Sequence, residues 1–573
     1  MAHGGWEEWE ALAAALRRRI VAVAESNGGH LASNLGVVEL TVALHRCFQF
    51  PPDRLVPDVS HQCYAHKLLT GRDGRAFDLL RREGGHGGFC DGGECPVDPF
   101  LTGHAGTALS SALGLAVARD RRGGREHVVA LLGDGTLNCG LTLEALQHAT
   151  AMTGKLVVVL NDNGWTIDGS VGSIAALLAI PEGGANFFQK AYAMDYLGPV
   201  DGHRFAELVP ALEMAKNASR PVLVHVRSTK GKGHPAAERD PARYHKVSPG
   251  GGPQGYGQTL GHILCSCADG RDDLVAISAA MADGTGLRPF AERFPRRFFD
   301  VGIAEGHALT FAAGLARGGL YPVCALYSTF FHRAVDSLFH DVCLQDLPLT
   351  LCLDRAGPAS GDGDTHHGLF DIALAASFPN LTVAQPASPG ELDSLLRLAI
   401  GTPHPFLIRY EFHGAEDGKD FSGKDIGKTA AVVRAGDQIS IWALGQRRLE
   451  QALEVAELLE GKNIAAEVVN ARFVRPLDLD RLRRSARCPL LVTLEDHVVG
   501  QGFGSRVALE LAAGAGHCQL LAIGWPFPIG FAESIAHLER RWQQTPRDLF
   551  RRILRRYGQL PSASPRPRKA QDP

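Results

Sequence analysis

Two oxygen-bearing side chains, Asp134 and Asn163, carry the clearest chemical signal in this sequence. Asp134 lies inside Gly133-Asp134-Gly135, and Asn163 closes Asn161-Asp162-Asn163, 29 positions further along. A carboxylate and an amide oxygen suit Mg2+, which takes few protein oxygens when the phosphates of a ligand complete its coordination shell. The flanking glycines allow close backbone approach, and the free N–H groups that open the next helix favour negative charge. The segment therefore predicts a site for a divalent cation bound to a diphosphate.

The elements around this segment would place both side chains at one edge of a sheet. Val128–Leu132 and Leu156–Leu160 are apolar runs typical of parallel strands buried on both faces, and Leu143–Met152 reads as a helix. Ligands of such sheets bind beyond the carboxyl ends of the strands, which is where Gly133–Gly135 falls. Two other interpretations are plain turns between strand and helix, and a dinucleotide site, for which the third glycine of Gly-x-Gly-x-x-Gly is missing.

The composition is that of an ordinary globular protein with several domains. The chain has 573 residues, of which 45% are hydrophobic and 21% charged; this length indicates about two to four domains. A formal charge of −3 leaves no basic footprint, which argues against nucleic acid as a partner. The twelve cysteines show no C-x-x-C pair, and the sequence has neither a signal-peptide pattern nor an apolar run of 18 residues. We therefore expect a cytoplasmic protein with free thiols and no membrane partner.

Strands and helices alternate in three successive α/β units, which indicates parallel sheets with crossover helices. We predict one domain over 1–256, a second over 257–425, a third over 426–560 and a disordered tail over 561–573. Glycine-rich Ser248–Gln258 and polar Glu411–Gly427 are interpreted as linkers. Further strands are predicted at Val222–Val226, Leu274–Ile277, Val323–Ala325, Leu349–Leu353, Gln438–Trp442, Ala465–Asn470 and Leu490–Leu494. Helices are predicted at Ala11–Ala24, Val37–Cys47, Gly306–Ala316, Ala334–Val342, Leu449–Leu459 and Arg506–Ala513.

Several strings of residues resemble one family from about Ala22 to about Ile535. The spacing of Asp134 and Asn163 is similar to the thiamine diphosphate signature. The further strings are Gly28-Gly29-His30-Leu31-Ala32-Ser33, His61-Gln62-Cys63-Tyr64-Ala65-His66-Lys67, Ile303-Ala304-Glu305-Gly306-His307-Ala308, Tyr327-Ser328-Thr329-Phe330, Asp354-Arg355-Ala356-Gly357, Thr365-His366-His367-Gly368 and Ala471-Arg472-Phe473-Val474-Arg475-Pro476. Together they resemble the 1-deoxy-D-xylulose-5-phosphate synthase family of transketolase-like enzymes. The resemblance implies two doubly wound sheets that bind thiamine diphosphate, followed by a domain like the C-terminal domain of transketolase.

The resemblance also implies a reaction, its cofactors and its partners. Pyruvate would be decarboxylated on thiamine diphosphate with Mg2+, and the remaining carbons joined to glyceraldehyde 3-phosphate, giving 1-deoxy-D-xylulose 5-phosphate. This product is a precursor of isoprenoids, thiamine and pyridoxal. In such enzymes the cofactor supplies the electron sink, while the protein positions and protonates. The family implies a homodimer.

Roles for individual residues follow from the same resemblance. The metal ligands would be Asp134, Asn163 and the backbone carbonyl of Trp165. The cofactor would contact His61, Gly103, His104, Ala105, Gly135, Thr136, Asn163, His234, Glu305 and Phe330. Proton transfer would fall to Glu305, His30, His61, His245 and His366, since a carboxyl in an apolar pocket and neutral imidazoles can exchange protons near neutral pH. The phosphorylated acceptor would meet Tyr327, Arg355, Asp362 and Arg409, because the guanidinium fork of an arginine can bind two phosphate oxygens.

The sequence departs from the family pattern near the expected chemistry. The family reads Val-Gly-His-Gln where this chain has Val59-Ser60-His61-Gln62, and Arg-Tyr-Pro-Arg-Gly where it has Arg409-Tyr410-Glu411-Phe412-His413-Gly414. The stretch after Gly172 is shorter than usual, which bears on how the active site is covered. Three hypotheses therefore stay open: a compact synthase of the family, a carboligase that uses another aldehyde or ketone acceptor, and a non-catalytic partner subunit. Intact Asp134, Asn163 and Glu305 argue against the third.

Overall fold

The computed structural model describes residues 5–165, 172–180, 182–248, 255–412, 426–427, 429–515 and 518–560. Over these residues the chain forms three sheets of mostly parallel strands, each covered by helices. Among the same residues, no helix combines the length and the apolar character that a membrane span requires.

The first sheet has the order β1-β2-β3-β5-β4, and all its strands are parallel. Its strands are β1 (Arg54–Pro57), β2 (Val128–Gly133), β3 (Val157–Asp162), β4 (Asp195–Asp201) and β5 (Val222–Arg227). Its α-helices are Trp6–Asn27, Leu31–Leu35, Val38–Cys47, Tyr64–Leu69, Arg75–Asp78, Ala108–Arg122, Gly140–Met152, Ser173–Leu178, Gly183–Ala185, Phe205–Lys216 and Pro235–Arg239.

Successive residues of the central strands enter two different cores. Val129 and Leu131 of β2 belong to one buried cluster, which contains residues of helices Trp6–Asn27 and Val38–Cys47. Their neighbours Val128 and Ala130 belong to the cluster on the opposite face. Side chains alternate across a strand, so helices on both faces require a strand that is apolar throughout.

The second sheet repeats this architecture with six parallel strands in the order β10-β11-β9-β8-β6-β7, and a seventh strand, contributed by the third unit, pairs antiparallel with β10. Its strands are β6 (Leu274–Ser278), β7 (Phe298–Asp300), β8 (Tyr321–Tyr327), β9 (Thr350–Asp354), β10 (Thr382–Ala384) and β11 (Phe406–Arg409). Its α-helices are Tyr256–Ala268, Arg288–Arg293, Glu305–Arg317, Val335–Ser337, Asp371–Ala375 and Pro389–Ile400.

The third sheet has the order β12-β14-β13-β16-β17, with only β12 antiparallel. Its strands are β12 (Ala431–Arg434), β13 (Ile439–Ala443), β14 (Ala466–Asn470), β16 (Leu490–Val498) and β17 (Gln519–Trp525). The third unit also contains β15 (Phe473–Arg475), which belongs to the second sheet. Strand β15 pairs antiparallel with β10 and so attaches the third unit to the second. The α-helices of the third unit are Gln446–Glu460, Leu479–Ser485, Phe503–Glu510, Ile535–Arg541 and Pro546–Gly558.

The predicted fold class of three α/β units in series is confirmed, with local corrections. The helix predicted over Ala334–Val342 is instead a short α-helix, Val335–Ser337, that continues as π-helix Leu338–Cys343. Helix Tyr256–Ala268 begins inside the predicted linker, because Tyr256 is fully buried and anchors its first turn. Linker residues 249–254 and 413–425 and the predicted tail 561–573 lie outside the described residues.

Candidate active site between the first two sheets

Strand register brings Asp134 and Asn163 to the same edge of the first sheet. Gly133 at the end of β2 pairs with Asn161 in β3, so the residues that follow each strand leave the sheet side by side. Asp134 opens a 3-10 turn that leads into helix Gly140–Met152. The Asn163 side-chain oxygen accepts a hydrogen bond from the backbone N–H of Trp165 at 3.0 Å. A carboxylate and an amide oxygen thus lie at one sheet edge and line one cavity, where a hard divalent cation could bind.

A cavity of about 970 Å3 opens at this edge and extends to residues of the second unit. It gathers most of the residues that were predicted from the sequence. Its lining includes His30, His61, Gly103, Ala105, Asp134, Gly135, Thr136, Asn163, Trp165, His245, Glu305, Tyr327, Phe330, Arg355, Asp362 and His366. His104, His234 and Arg409 are absent from that lining.

Glu305 is a buried carboxyl on the second-unit side of the cavity. It is the first residue of helix Glu305–Arg317 and only 4% exposed. Burial raises the pKa of Glu305, and the shift is opposed by Arg333, whose Nη1 lies 3.9 Å from Oε2 of Glu305. Such a carboxyl can share a proton with a ligand nitrogen at neutral pH.

Three histidines from separate segments form a triangle in the first-unit wall. The ring centroids of His30, His61 and His245 lie 5.4 Å from one another in all three pairs. Burial lowers the pKa of each of them, that of His61 to about 3. The Nδ1 atoms of His30 and His61 are buried and have no hydrogen-bond partner among the described residues. Neutral rings with an unpaired nitrogen can accept or relay a proton from a bound ligand.

A row of aromatic rings connects this triangle to the opposite wall. Phe89 lies 5.7 Å from His30 and stacks on His366 at 5.0 Å, both distances between ring centroids. Phe330 follows at 5.8 Å from His366 and stacks on Tyr327 at 5.5 Å. Burial lowers the pKa of His366 to about 3. The row therefore places a fourth neutral histidine between the triangle and Tyr327.

Arg355 stands at the far end of the row in a fixed orientation. Its guanidinium lies 3.8 Å from the ring centroid of Tyr327 and 4.4 Å from that of Phe412. Its Nη1 donates to Oδ2 of Asp354 at 2.6 Å and to the carbonyl of Gly284 at 2.9 Å. The flat group is held between two rings in the geometry that stacked arginines favour.

Asp362 is the ionised centre of a charge cluster in which Arg81 is buried and Lys246 is exposed. Oδ1 of Asp362 lies 2.7 Å from Nη1 of Arg81, and Nζ of Lys246 donates to Oδ2 at 2.6 Å. Burial would raise the pKa of Asp362, but Arg81 and Lys246 hold it well below its usual range. The cluster leaves one positive charge in excess at the cavity wall near Arg355.

The three predicted residues outside the lining have other partners. His104 directs Nε2 to the carbonyl of Thr365 at 2.8 Å, and its ring packs edge-on against Phe330 at 5.1 Å. His234 accepts a hydrogen bond from the backbone N–H of Ala237, and so begins helix Pro235–Arg239.

Arg409 is the clearest departure from its predicted place. It is fully buried between the second and third units, and its Nε donates to Oδ2 of Asp371 at 2.8 Å. Its Nη2 donates to the carbonyl of Asp496 at 2.9 Å, and Nη1 contacts Gln385. The Arg409 guanidinium therefore links the second and third units through hydrogen bonds inside the protein. Arg409 is not among the residues that line the cavity, and its predicted contact with an acceptor stays a prediction.

Some cavity residues were not identified from the sequence. They are Asp58, Arg81, Phe89 and Lys246. Asp58 accepts hydrogen bonds from the backbone N–H groups of Gly106 and Ala108 and so anchors the turn that carries Gly103 and Ala105. Lys246 adjoins His245 and could have been found for that reason, whereas Arg81 and Phe89 lie in no local pattern that indicates a site.

His61 follows two residues with left-handed backbone. The φ angles of Val59 and Ser60 are 56° and 61°, a conformation that costs a non-glycine residue about 1 kcal/mol or more. Ser60 offsets this cost, since its Oγ accepts a hydrogen bond from the backbone N–H of Cys90 at 2.7 Å and contacts Thr102. The family glycine at this position would adopt the same backbone freely.

We therefore expect Ser60→Ala to destabilise the protein more than Ser60→Gly does. Both variants lose the hydroxyl partner of the Cys90 N–H, which costs about 1–3 kcal/mol. Only glycine relieves the backbone strain, so the two variants should differ by roughly 1 kcal/mol. Urea unfolding of both proteins measures the difference. Equal midpoints would mean that the left-handed backbone stores no strain.

Comparison with known proteins identifies similar sequences over nearly the whole chain. Residues 5–186 and 182–228 match the family model described as 1-deoxy-D-xylulose-5-phosphate synthase. Residues 253–411 match the pyrimidine-binding domain of transketolase, and residues 428–526 match its C-terminal domain.

Individual relatives give the same result. A protein of Methylacidiphilum infernorum named 1-deoxy-D-xylulose-5-phosphate synthase is 42% identical over 567 residues, which cover 90% of this chain and 89% of that protein. One of the same name from Thermomicrobium roseum is 43% identical over 560 residues, covering 89% and 88%. The crystal structure of transketolase from Campylobacter jejuni aligns with a TM-score of 0.46 at 18% identity, covering 95% of this chain and 98% of that one.

Proposed function

Because this chain belongs to the 1-deoxy-D-xylulose-5-phosphate synthase family, we propose that it joins pyruvate and glyceraldehyde 3-phosphate into 1-deoxy-D-xylulose 5-phosphate, releasing carbon dioxide. One observation supports roles for individual residues in this reaction. A single cavity unites the oxygen ligands Asp134 and Asn163 at one wall with the buried carboxyl of Glu305 at another. The same cavity offers four neutral histidines between these walls and an arginine at its far end.

The lining fits thiamine diphosphate with Mg2+. Asp134, Asn163 and the carbonyl of Trp165 would hold the metal, with Gly135 and Thr136 beside the diphosphate. A Cβ added at Gly133 would meet no described atom within 4 Å, so the strand end leaves room for a ligand. The bound cofactor supplies an electron sink for the carbon–carbon bond that breaks and the one that forms.

The residues of the chain would then manage protons and position. Glu305 would hold a proton at its carboxyl against a ring nitrogen of the cofactor, and Phe330 would pack on that ring. His61, Gly103 and Ala105 would complete the wall, with His104 acting through Phe330. His30, His61, His245 and His366 would exchange protons with the substrates through their unprotonated nitrogens.

At the acceptor end, Arg355 and Tyr327 would receive glyceraldehyde 3-phosphate, and Asp362 would set the local charge. Since Arg355 is held between two rings, its fork is preorganised for phosphate oxygens. Arg409 is left out of this proposal because its nitrogens bind protein atoms. We also propose the domain division 1–256, 257–425 and 426–560, a homodimer, and a cytoplasmic setting, which the twelve free cysteines suit.

A second candidate function is the same carboligation with a different acceptor. The acids Glu411, Asp496 and Glu533 line the cavity at its third-unit end. Arg447 also lines this end, but it contacts both Asp496 and Glu539, so its charge is offset within the protein. An acidic end favours a neutral or hydroxylated acceptor over an anion.

Acceptor competition with the purified full chain separates the two functions. With Mg2+, thiamine diphosphate and labelled pyruvate, we expect glyceraldehyde 3-phosphate to give a phosphorylated deoxyketose. The Arg355→Met variant should raise the KM for this acceptor about 10- to 100-fold, since a hydrogen bond to a charged group is lost. Its KM for pyruvate should stay within about twofold, as should both constants of a surface control, Arg397→Met. Turnover with unphosphorylated aldehydes alone would establish the second function.

A further inference from the structure

Three polar side chains on neighbouring strands form a hydrogen-bonded chain beneath the predicted metal-binding turn. His225 in β5 lies between Asp162, the last residue of β3, and Tyr196 in β4. Its Nε2 lies 2.8 Å from Oδ2 of Asp162, and its Nδ1 lies 2.7 Å from the hydroxyl of Tyr196. His225 is only 1% exposed, and neither it nor Tyr196 lines the large cavity.

Both ring nitrogens of His225 have a polar partner. The Asp162 carboxylate can only accept, so His225 donates from Nε2 to Asp162, and its Nδ1 meets the hydroxyl of Tyr196. Contacts at both nitrogens fix the orientation of the ring. The hydroxyl of Tyr196 therefore determines how the imidazole meets Asp162.

Asp162 also accepts hydrogen bonds from the backbone around the turn that follows it. Its second oxygen, Oδ1, accepts from the backbone N–H of Gly164 at 3.3 Å, and its carbonyl accepts from Ser228 N–H at 2.9 Å. Asn163 comes directly after Asp162, and its side chain closes the same turn on Trp165. Asp162 is thus held by His225 on one side and by the backbone of the turn on the other.

We propose that Tyr196, His225 and Asp162 are positioning residues that hold the 162–165 turn in the conformation that binds the divalent cation. The inference rests on the proposed function, because it assigns the metal to Asn163 and the Trp165 carbonyl. Groups that hydrogen-bond to the support of a metal ligand commonly set its orientation and the affinity for the metal.

Two glycines leave the space that the contact between Tyr196 and His225 requires. A Cβ at Gly184 would lie 2.6 Å from the Tyr196 hydroxyl, and one at Gly198 would lie 2.4 Å from the carbonyl of His225. Gly184 thus leaves room for the Tyr196 hydroxyl, and Gly198 leaves room for the backbone of β5 at His225. If the strands only needed to be filled, apolar residues would pack there without the cost of burying polar groups.

The test measures Mg2+ binding to the full-length protein at saturating thiamine diphosphate, by calorimetry and by tryptophan fluorescence. Trp165 lies on the turn and is 36% exposed, so its emission should report the ordering of the turn. We expect His225→Leu to weaken Mg2+ binding about 10- to 100-fold, which is the usual effect of losing such a support. His225→Gln, which keeps a donor toward Asp162, should weaken it less, and Tyr196→Phe should have an intermediate effect. At saturating Mg2+, kcat should recover to within about threefold of the unmodified protein, because the ligands themselves remain.

Tyr192→Phe is the matched control, since Tyr192 packs on Phe187 nearby but is outside the hydrogen-bonded chain. Unchanged Mg2+ affinity in Tyr196→Phe and His225→Gln would overturn the positioning role, even if His225→Leu failed to fold. Asp134→Ala distinguishes the positioning role from the proposed metal site itself. If it abolishes Mg2+ binding while the Tyr196 and His225 variants bind normally, the positioning role fails and the proposed metal site stands. Absence of Mg2+ binding in the unmodified protein would overturn both.

Discussion

Replacing Glu305 by glutamine should reduce carbon dioxide release from pyruvate, measured with glyceraldehyde 3-phosphate present, by at least about 100-fold. Glutamine keeps the size of the side chain but can neither hold nor release the proton. The expectation rests on the place of Glu305, which is 4% exposed, lines the cavity and has a pKa raised by burial. Cofactor binding, followed by fluorescence quenching, should weaken far less than turnover does.

A matched variant distinguishes this role from ordinary stabilisation of a helix. Glu305 is the first residue of a helix, and an acid there interacts favourably with the helix dipole. Glu207 occupies the first turn of helix Phe205–Lys216, outside the cavity lining. Glu207→Gln should cost less than about 1 kcal/mol of stability and leave turnover unchanged. Similar turnover in both variants would remove Glu305 from the chemistry.

Replacing Arg409 by alanine should destabilise the protein by about 3–5 kcal/mol, because it leaves the carboxylate of Asp371 buried without its partner. Both side chains of this ion pair are fully buried. Arg409 also donates to the carbonyl of Asp496, so the variant loses a link between the second and third units. Urea unfolding measures the loss.

Two comparisons make this expectation specific. Arg434→Ala removes a partner of the exposed Glu460, a surface pair that should contribute less than about 1 kcal/mol. The double variant Arg409→Met with Asp371→Leu should recover much of the stability, because neither charge is then left unpaired. If Arg409→Lys unfolded like the unmodified protein yet bound glyceraldehyde 3-phosphate weakly, the acceptor role suggested by the sequence would be restored.

Much of the fold could be predicted because its causes are local. Strands such as Val128–Gly133 are apolar along their whole length, since helices cover both faces of a parallel sheet. The same logic predicted that Asp134 and Asn163 would meet, because neighbouring parallel strands end at the same edge. The helix over Ala334–Val342 was less predictable, since π-helical turns are rare and occur mostly as short insertions in α-helices.

The sequence on its own therefore established the order of the elements and the family, and it predicted most of its site residues at what is now the cavity lining. Only the tertiary structure decided which charged groups face the cavity. Arg355 follows an apolar strand and Arg409 ends one, yet Arg355 stacks between two rings at the cavity while Arg409 is buried against Asp371. Burial and ion pairing depend on residues far apart in the chain, such as Asp496 for Arg409 and His225 for Asp162. A local pattern holds no information about such partners, because they become neighbours only when separate strands pack together.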